Sequence, residues 1–322
     1  MRLADFLPAI PDRSWQLARQ LGVRHAICKC APELTGLKAP DDFDSLRTIQ
    51  RRFADAGFTL AGLEGDEFDM RRIKLGLPGR NEDLERYNRM LANMGELGIP
   101  LLCYNFMATG WFRSDTAVVL RGGAISTGFS AAEAARLPPV PESERIDHAR
   151  LWDNYATFIR AVMPAAQAAG VTMGLHPDDP PVPWLRGVGR IFTSPQAVDR
   201  ALALTDSPSH QLTFCQATYR TMGADPQTLA RRWAGRIAFV HFRDVVGTAE
   251  DFHEVFHDEG PTDMAAMVRT YSEIGVTGPV RVDHVPTMAG EDNGAHGYAS
   301  LGRLFAIGYL KGLCRAQRVE LL

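Results

Sequence analysis

Four residues of the types that bind metals stand at the predicted C-terminal ends of four strands in the second half of the chain. They are His176 in VTMGLHP, Cys215 in QLTFCQ, His241 in IAFVHF and Asp283 in PVRVDH. Two imidazoles, a thiolate and a carboxylate form a mixed nitrogen, sulfur and oxygen ligand set that suits a first-row divalent metal ion. A single buried histidine or cysteine is commonplace, but four such residues at equivalent positions predict one shared metal site.

A further pair of histidines, in HEVFH at residues 253–257, fits the H-E-x-x-H pattern of zinc proteases. That chemistry needs both histidines one turn apart on a sustained helix, with the glutamate as base. Gly260 and Pro261 follow closely, so a long buried helix is not expected here. We therefore predict a polar loop near the site, from which His253 and His257 contact the substrate.

Short apolar runs alternate along the chain with longer stretches of helical periodicity. The predicted strands are 2–7, 23–28, 58–63, 99–104, 171–175, 211–215, 237–241 and 279–283. The predicted helices are 45–56, 82–97, 145–169, 195–205, 226–234, 263–274 and 298–313. Several helices end at a glycine that is soon followed by a strand, which is typical of β/α alternation and a parallel sheet.

Eight predicted strands that alternate with helices favour an α/β fold, the (β/α)8 or TIM barrel, whose active sites form at the C-terminal ends of the strands. A doubly wound sheet is the alternative, but no strand is followed by a glycine-rich dinucleotide-binding fingerprint. The glycine-rich run 121–128 is predicted to be a loop. The segment 108–141 is too long for a plain connection and is predicted to be a lid or an inserted hairpin. Residues 1–322 are expected to form a single catalytic domain.

Composition excludes several classes of protein. The 322 residues are 45% hydrophobic and carry a net charge of −3, which argues against disorder and against a dedicated nucleic-acid surface. No apolar run approaches the length of a membrane span, and the N-terminal segment lacks the apolar centre of a signal peptide. Five irregularly spaced cysteines do not form a disulfide framework. We expect a cytoplasmic protein without membrane or nucleic-acid partners, and a homo-oligomer as the common state of such enzymes.

Ordered motifs from about residue 60 to the C-terminus resemble those of the mannonate dehydratases. In chain order they are CYNFM at 103–107, Trp111-x-Arg113-x-Asp115, HPDDPP at 176–181 with GRI at 189–191, VHFRDV at 240–245, the pattern of Phe252, His253, Glu254, His257, Gly260, Asp263 and Met264, and Asp283-His284 with Gly297-Tyr298 and Arg303.

The resemblance implies a barrel of the xylose-isomerase-like superfamily and the dehydration of D-mannonate to 2-keto-3-deoxy-D-gluconate, a step of hexuronate catabolism. It also implies a divalent metal, usually manganese, held by the four residues named first; Fe²⁺, Co²⁺ and Zn²⁺ remain open. Residues at the positions of His284 and Tyr298 are the family's proposed acid and base, and which residue takes which role stays open.

A sugar-acid substrate suggests further contacts. Arg190 and Arg243 are expected to clamp its carboxylate, because guanidinium binds carboxylate in a two-pronged geometry. Glu64 and Asn105, at strand ends, are expected to hold sugar hydroxyls.

The chain departs from the family pattern at two places near the predicted site. Gln216-Ala217-Thr218 stands where the family usually has Gly-Ser, and Val285 stands where it has glycine. We expect these departures to lie on loops against the substrate. A metal-dependent sugar or sugar-acid isomerase or epimerase and a non-catalytic sugar-acid binding homologue remain the alternative functions.

Overall fold

The computed structural model describes all 322 residues and contains fourteen strands and twelve α-helices. The strands are β1 (Arg2–Phe6), β2 (His25–Cys28), β3 (Thr59–Glu64), β4 (Leu101–Tyr104), β5 (Asp115–Val119), β6 (Ile125–Ser130), β7 (Thr172–Leu175), β8 (Trp184–Leu185), β9 (Val188–Gly189), β10 (His210–Cys215), β11 (Ile237–Phe242), β12 (Val245–Gly247), β13 (Asp251–Glu254) and β14 (Pro279–Val282). The helices are α1 (Arg13–Gln20), α2 (Pro32–Thr35), α3 (Phe43–Asp55), α4 (Arg71–Leu75), α5 (Arg80–Glu96), α6 (Ala131–Ala134), α7 (His148–Ala168), α8 (Pro195–Leu202), α9 (Gln216–Thr221), α10 (Pro226–Arg232), α11 (Met264–Glu273) and α12 (Ser300–Ala316).

Eight parallel strands close into a barrel in the order β1-β14-β11-β10-β7-β4-β3-β2. These are the eight strands predicted from the sequence, with bounds that differ by one or two residues at most ends. The predicted TIM barrel is therefore confirmed, and the doubly wound sheet is excluded because the sheet has no open edge. All seven predicted helices are present, whereas α1 and the short helices α2, α4, α6 and α9 were not predicted.

Local sequence explains the regular β/α units, as α3 illustrates. Asp42 caps its first turn by accepting a hydrogen bond from the Ser45 backbone N–H at 3.1 Å. Leu46, Ile49 and Phe53, at spacings of three and four, are all buried against the barrel. Gly57 then adopts a φ of +79°, which glycine reaches without steric cost as the chain turns into β3.

Two apolar layers surround the barrel wall. The larger core cluster contains 69 buried residues and joins the helices to the outside of the strands. A smaller cluster contains no helix residue and so lies inside the barrel: Ala4, Ile27, Ala61, Leu101, Cys103 and Phe239. Phe239 meets the His241 ring edge-on at 4.7 Å between centroids, so the barrel interior forms an apolar floor beneath the predicted metal site.

A second, four-stranded sheet lies at the barrel rim, in the order β12-β13-β6-β5. The hairpin β5–β6 comes from the long segment 108–141, so the predicted inserted hairpin is present. The prediction of a loop at 121–128 was wrong, since β6 begins at Ile125. The prediction of a loop at 253–257 was also wrong in part, because His253 and Glu254 belong to β13 and pair with β6 and β12. A strand also excludes the helical zinc-protease arrangement.

None of the helices combines the length and the apolar composition needed to cross a bilayer.

Candidate active site

The four predicted metal ligands lie together at the C-terminal end of the barrel. His176 and Asp283 directly follow β7 and β14, Cys215 ends β10, and His241 lies near the end of β11. These four strands are consecutive in the barrel. Ligand atoms of His176, Cys215 and His241 lie within 4.8 Å of one another, and Asp283 Oδ2 lies 3.6 Å from His241 Nδ1.

The chemistry of these donors fits a divalent cation. Both ring nitrogens of His241 are buried without a hydrogen-bond partner, which is costly unless another partner binds them. Burial by itself raises the pKa of the Cys215 thiol, but the Arg243 guanidinium and the His176 imidazole outweigh burial and hold that pKa well below its ordinary value. Thiolate sulfur and imidazole nitrogen together match first-row divalent ions.

Asp283 is likewise held as a carboxylate. Burial raises its pKa, but His284 and Arg281 lower it by more, so that the pKa lies well below its usual range. Arg281 Nη1 lies 2.8 Å from Oδ1, and Arg243 Nε lies 2.7 Å from Oδ2. The sequence analysis missed Arg281, although Arg281 stands two residues before Asp283 and strand alternation therefore puts both on the same face.

A cavity of about 300 Å³ opens over this cluster. It is lined by nine polar residues that are relevant to chemistry, namely Glu64, Asn105, His176, Asp179, His241, Arg281, Asp283, His284 and Tyr298. Asp179 and Arg281 in this set, and the further lining residues Lys29 and Trp111, were not predicted as site residues. Cys215 closes the cluster from within the wall and does not line the cavity.

The proposed acid and base lie side by side in this cavity. The rings of His284 and Tyr298 are 5.4 Å apart between centroids, and Trp111 meets the other side of His284 at 5.2 Å. Burial, followed by the charge of Asp283, raises the pKa of the Tyr298 phenol above its ordinary value of 10. Tyr298 therefore keeps its proton at neutral pH and can act as a donor.

Asn105 presents donors to the cavity because its acceptor is already used. Its Oδ1 accepts from the buried ammonium of Lys74 at 3.0 Å and from the Met107 backbone N–H at 3.0 Å. Lys74 is itself held by Asp66 at 2.6 Å. The amide NH₂ of Asn105 is left for an acceptor oxygen of a ligand.

Glu64 lines the cavity, but its carboxylate is engaged. Arg281 donates to both of its oxygens, at 2.5 and 3.0 Å. Burial alone raises the pKa of Glu64, but Arg281 and His241 lower it to about 2. A charged oxygen of Glu64 also lies 3.3 Å from His241 Nε2, so this residue orients Arg281 and lies beside His241 as well as facing the cavity.

The two arginines expected to clamp a carboxylate do not line the cavity. Arg243 is buried, and its guanidinium contacts Asp179, Glu254 and Asp283, each at 2.7 Å. Arg190 is buried and donates to the Gly110 carbonyl at 2.6 Å, which ties down the loop that carries Trp111. Both guanidinium groups are therefore occupied by partners within the protein.

His253 and His257 are also absent from the cavity wall. His253 is half-buried in β13, where it pairs with Gly128 of β6. His257 is buried and its Nε2 donates to the Phe242 carbonyl at 2.8 Å. Burial lowers the pKa of His257 to about 4, so this imidazole is neutral and supports the end of β11.

The departures from the family pattern do not contact the cavity, contrary to expectation. Gln216 bonds to Met264 and Tyr271 behind the barrel wall, and Val285 is buried beside Tyr298. Thr218 lies behind Cys215, to which its hydroxyl donates at 3.1 Å. None of the three departing residues Gln216, Thr218 and Val285 lines the cavity.

Sequence comparison identifies the family of the chain. The sequence model of the D-mannonate dehydratase (UxuA) family matches residues 39–141 and 136–320. The chain belongs to the mannonate dehydratase family. The mannonate dehydratase of Streptococcus equi subsp. zooepidemicus is 33% identical over 308 residues, which cover 85% of this chain and 82% of that protein. Mannonate dehydratase 2 of Halalkalibacterium halodurans is 34% identical over 274 residues, which cover 76% of this chain and 79% of that protein.

Structural comparison covers nearly the whole chain. The crystal structure of mannonate dehydratase from Streptococcus suis serotype 2 covers 98% of this chain and 94% of its own, with a TM-score of 0.88 and 28% identity. A structure of L-ribulose 3-epimerase aligns over 98% of this chain and 95% of its own with a TM-score of 0.58 and 15% identity. The second similarity shows only that this family shares its barrel fold with sugar epimerases.

Proposed function

We propose that the protein removes water from D-mannonate and forms 2-keto-3-deoxy-D-gluconate. The observation that carries this proposal is the cavity in which three of the four proposed metal ligands meet a paired histidine and tyrosine, His284 and Tyr298, while Cys215 closes the ligand cluster from within the wall. Dehydration of a 2,3-dihydroxy acid needs these two elements, because the C2 proton is weakly acidic and hydroxide is a poor leaving group.

A divalent ion, Mn²⁺ in our proposal, would be held by His176, Cys215, His241 and Asp283. When bound, it supplies stabilisation of the negative charge that develops on the carboxylate as the C2 proton leaves.

The protein's own side chains supply the proton transfers. His284 accepts the C2 proton, and the electron pair of that C–H bond forms the C2–C3 double bond. The C3–O bond breaks, and the hydroxyl group takes the phenolic proton of Tyr298 and departs as water. The raised pKa of Tyr298 supports its role as the acid. The enol product then becomes the 2-keto acid as its C2 hydroxyl loses a proton and C3 gains one, and return of the proton held by His284 to the Tyr298 phenolate restores both side chains.

Recognition of the sugar acid relies on the few cavity groups with free capacity. The Asn105 amide donates to an acceptor oxygen of the chain, and Trp111 covers the His284 side. Lys29 lies in the cavity wall, and its ammonium has only a long contact of 3.7 Å with Glu33. It is therefore the cation of the cavity wall that is most free to bind the substrate carboxylate. Because the comparatively small cavity accepts one sugar unit, we propose an unmodified hexonate as substrate.

A panel of hexonates incubated with the protein and Mn²⁺ tests the function. We expect D-mannonate to yield a 2-keto-3-deoxy acid that is lighter by one water, as measured by mass spectrometry and a colorimetric assay for 2-keto-3-deoxy acids. A product of unchanged mass would favour an isomerase or epimerase. Binding without any product would favour the non-catalytic homologue.

A further inference from the structure

Glu254 is buried beside the proposed catalytic histidine but has no part in the chemistry described above. It ends β13, and its side chain is only 3% exposed. A single oxygen, Oε1, lies 2.8 Å from His284 Nδ1 and also accepts from Arg113 and from Arg243. The other oxygen has no hydrogen-bond partner. Glu254 is also the glutamate of the HEVFH motif.

The charge of Glu254 determines which ring nitrogen of His284 carries a proton. Burial raises the pKa of Glu254, but His284, Arg243 and Arg113 lower it to about 2. A carboxylate only accepts hydrogen bonds, so the 2.8 Å contact requires a proton on Nδ1 of His284. The opposite nitrogen, Nε2, lies 3.8 Å from Asp283 Oδ1, on the side of the metal-ligand cluster.

We propose that Glu254 is a positioning residue that keeps the proton on His284 Nδ1 and leaves Nε2 as the nitrogen that exchanges a proton with the sugar acid. This inference rests on the proposed function for its substrate but not for its geometry. A histidine that acts as acid or base commonly needs such a partner, because its second nitrogen is set by the hydrogen bond that the first one makes.

The rim sheet delivers this carboxylate to the site. β13 pairs antiparallel with β12 on one side and with β6 on the other, and the Val245–Glu254 pair begins the β12–β13 ladder. The inserted hairpin that carries β6 therefore supports the position of Glu254. The structural requirement explains why a glutamate stands between the two histidines without any protease chemistry.

Asp179 provides the comparison that separates positioning from simple charge balance. It too is a buried carboxylate that binds both arginines, with contacts of 2.6 Å to Arg113 and 2.7 Å to Arg243. Asp179 makes no hydrogen bond to His284. Loss of either carboxylate removes one negative charge from the two arginines, whereas only loss of Glu254 removes the acceptor of His284 Nδ1.

Nitrogen-15 spectra of histidine-labelled protein test the proposal at one fixed pH, with diamagnetic Zn²⁺ in place of Mn²⁺. The signal of His284 is identified among those of the nine histidines as the one that disappears in His284→Gln. We expect Nδ1 of His284 to be protonated in the wild type and in Asp179→Asn. In Glu254→Met the proton should shift toward Nε2, and Glu254→Gln, which keeps an acceptor oxygen, should restore part of the Nδ1–H population.

Two outcomes would overturn the proposal: an unprotonated Nδ1 in the wild-type spectrum, or a His284 signal that is the same in Glu254→Met as in the wild type. The first needs no variant, so the proposal stays testable if Glu254→Met fails to fold. Kinetics of Glu254→Gln on the active hexonate should show kcat lowered by about 10-fold or more with little change in KM, since acid–base catalysis contributes about 10²–10⁴-fold. Absence of turnover by the wild type would contradict the proposed function. The spectra test the role of Glu254 independently, because they report the protonation of His284 Nδ1 and need no turnover.

Discussion

The hydroxyl of Thr218 donates a hydrogen bond to Sγ of Cys215 over 3.1 Å, and both atoms are buried. This donor stabilises the thiolate beside Arg243, whose Nη2 lies 3.3 Å from the same sulfur. Thr218 belongs to the short segment in which the chain departs from its family. The departure thus acts on the electronic environment of a proposed metal ligand rather than on substrate contacts.

Thr218→Val should weaken metal binding while keeping the volume of the side chain. The thiolate loses one donor, and loss of such an outer hydrogen bond commonly costs about 10–100-fold in metal affinity. Competition titration of Mn²⁺ against a fluorescent chelator measures this change. Thr157→Val, on the exposed side of α7, is the matched control and should bind Mn²⁺ as the wild type does.

Cys215→Ala should lose metal and activity together, because it deletes one proposed ligand. Asp283→Asn should do the same while preserving the shape of the side chain. Metal content after dialysis, measured by inductively coupled plasma mass spectrometry, checks both. Cys314→Ala, which alters a buried cysteine of α12 remote from the barrel mouth, is expected to retain its metal. Full occupancy in Cys215→Ala and Asp283→Asn would refute the proposed ligand set.

Tyr298→Phe should retain metal and lose rate, because the phenol supplies the proton to the departing hydroxyl. We expect kcat to fall by about 10²-fold or more, the usual contribution of a positioned acid. Steady-state kinetics with Mn²⁺ saturating gives this value, and Tyr309→Phe on α12 serves as control. A wild-type kcat in Tyr298→Phe would remove Tyr298 from the mechanism.

Asn105→Asp should raise KM for a sugar acid by about 10-fold, equivalent to about 1.4 kcal/mol of lost binding. In the wild type, Lys74 binds the amide oxygen of Asn105 and the NH₂ group is free to donate to the ligand. The substitution replaces this NH₂ group by a carboxylate oxygen, which cannot donate. KM and kcat from initial rates check the prediction. The control is Asn88→Asp on α5, where the wild-type amide donates to the Ala161 carbonyl; this variant should leave KM unchanged. An unchanged KM in Asn105→Asp would exclude Asn105 from substrate binding.

His210 should make the protein less stable as the pH falls. Burial and, secondarily, Arg236 lower its pKa from 6.5 to about 4. The unfolded chain therefore binds a proton between these values while the folded protein does not, so the free energy of unfolding decreases as pH drops from 6.5 to about 4. The full contribution is about 3 kcal/mol.

Urea unfolding at pH 7.5 and pH 4 measures this effect. His210→Gln, which can still accept from Tyr104 or Tyr155, should lose less stability over the same interval than the wild type does. Equal losses in the two proteins would show that His210 does not contribute. The other titrating groups are the same in both proteins, so their contribution cancels when the two changes in the free energy of unfolding are compared.

Local sequence was sufficient to predict the eight barrel strands, seven of the helices and the residues that gather as a metal-ligand cluster. The periodicity of strands and helices depends only on residues that are close in sequence, so it can be recognised without the tertiary structure. Parallel barrel strands all bring their C-terminal ends to the same rim. This rule about the common rim was enough to group the four proposed ligands His176, Cys215, His241 and Asp283. The short helices were missed because four to six residues carry little periodic signal.

Only the tertiary structure decided which polar groups are free to meet a substrate. Arg190 and Arg243 have the right chemistry for a carboxylate, yet buried charges must be paired. Two of their partners are distant in sequence: the Gly110 carbonyl is 80 residues from Arg190, and Asp179 is 64 residues from Arg243. The first two residues of the HEVFH segment belong to a strand because β6, more than 100 residues earlier, offers its backbone groups to β13. Sequence alone determined the barrel and its ring of ligands, while long-range hydrogen bonding and charge pairing selected His284 and Tyr298, Asn105 and Lys29 as the groups that face the cavity.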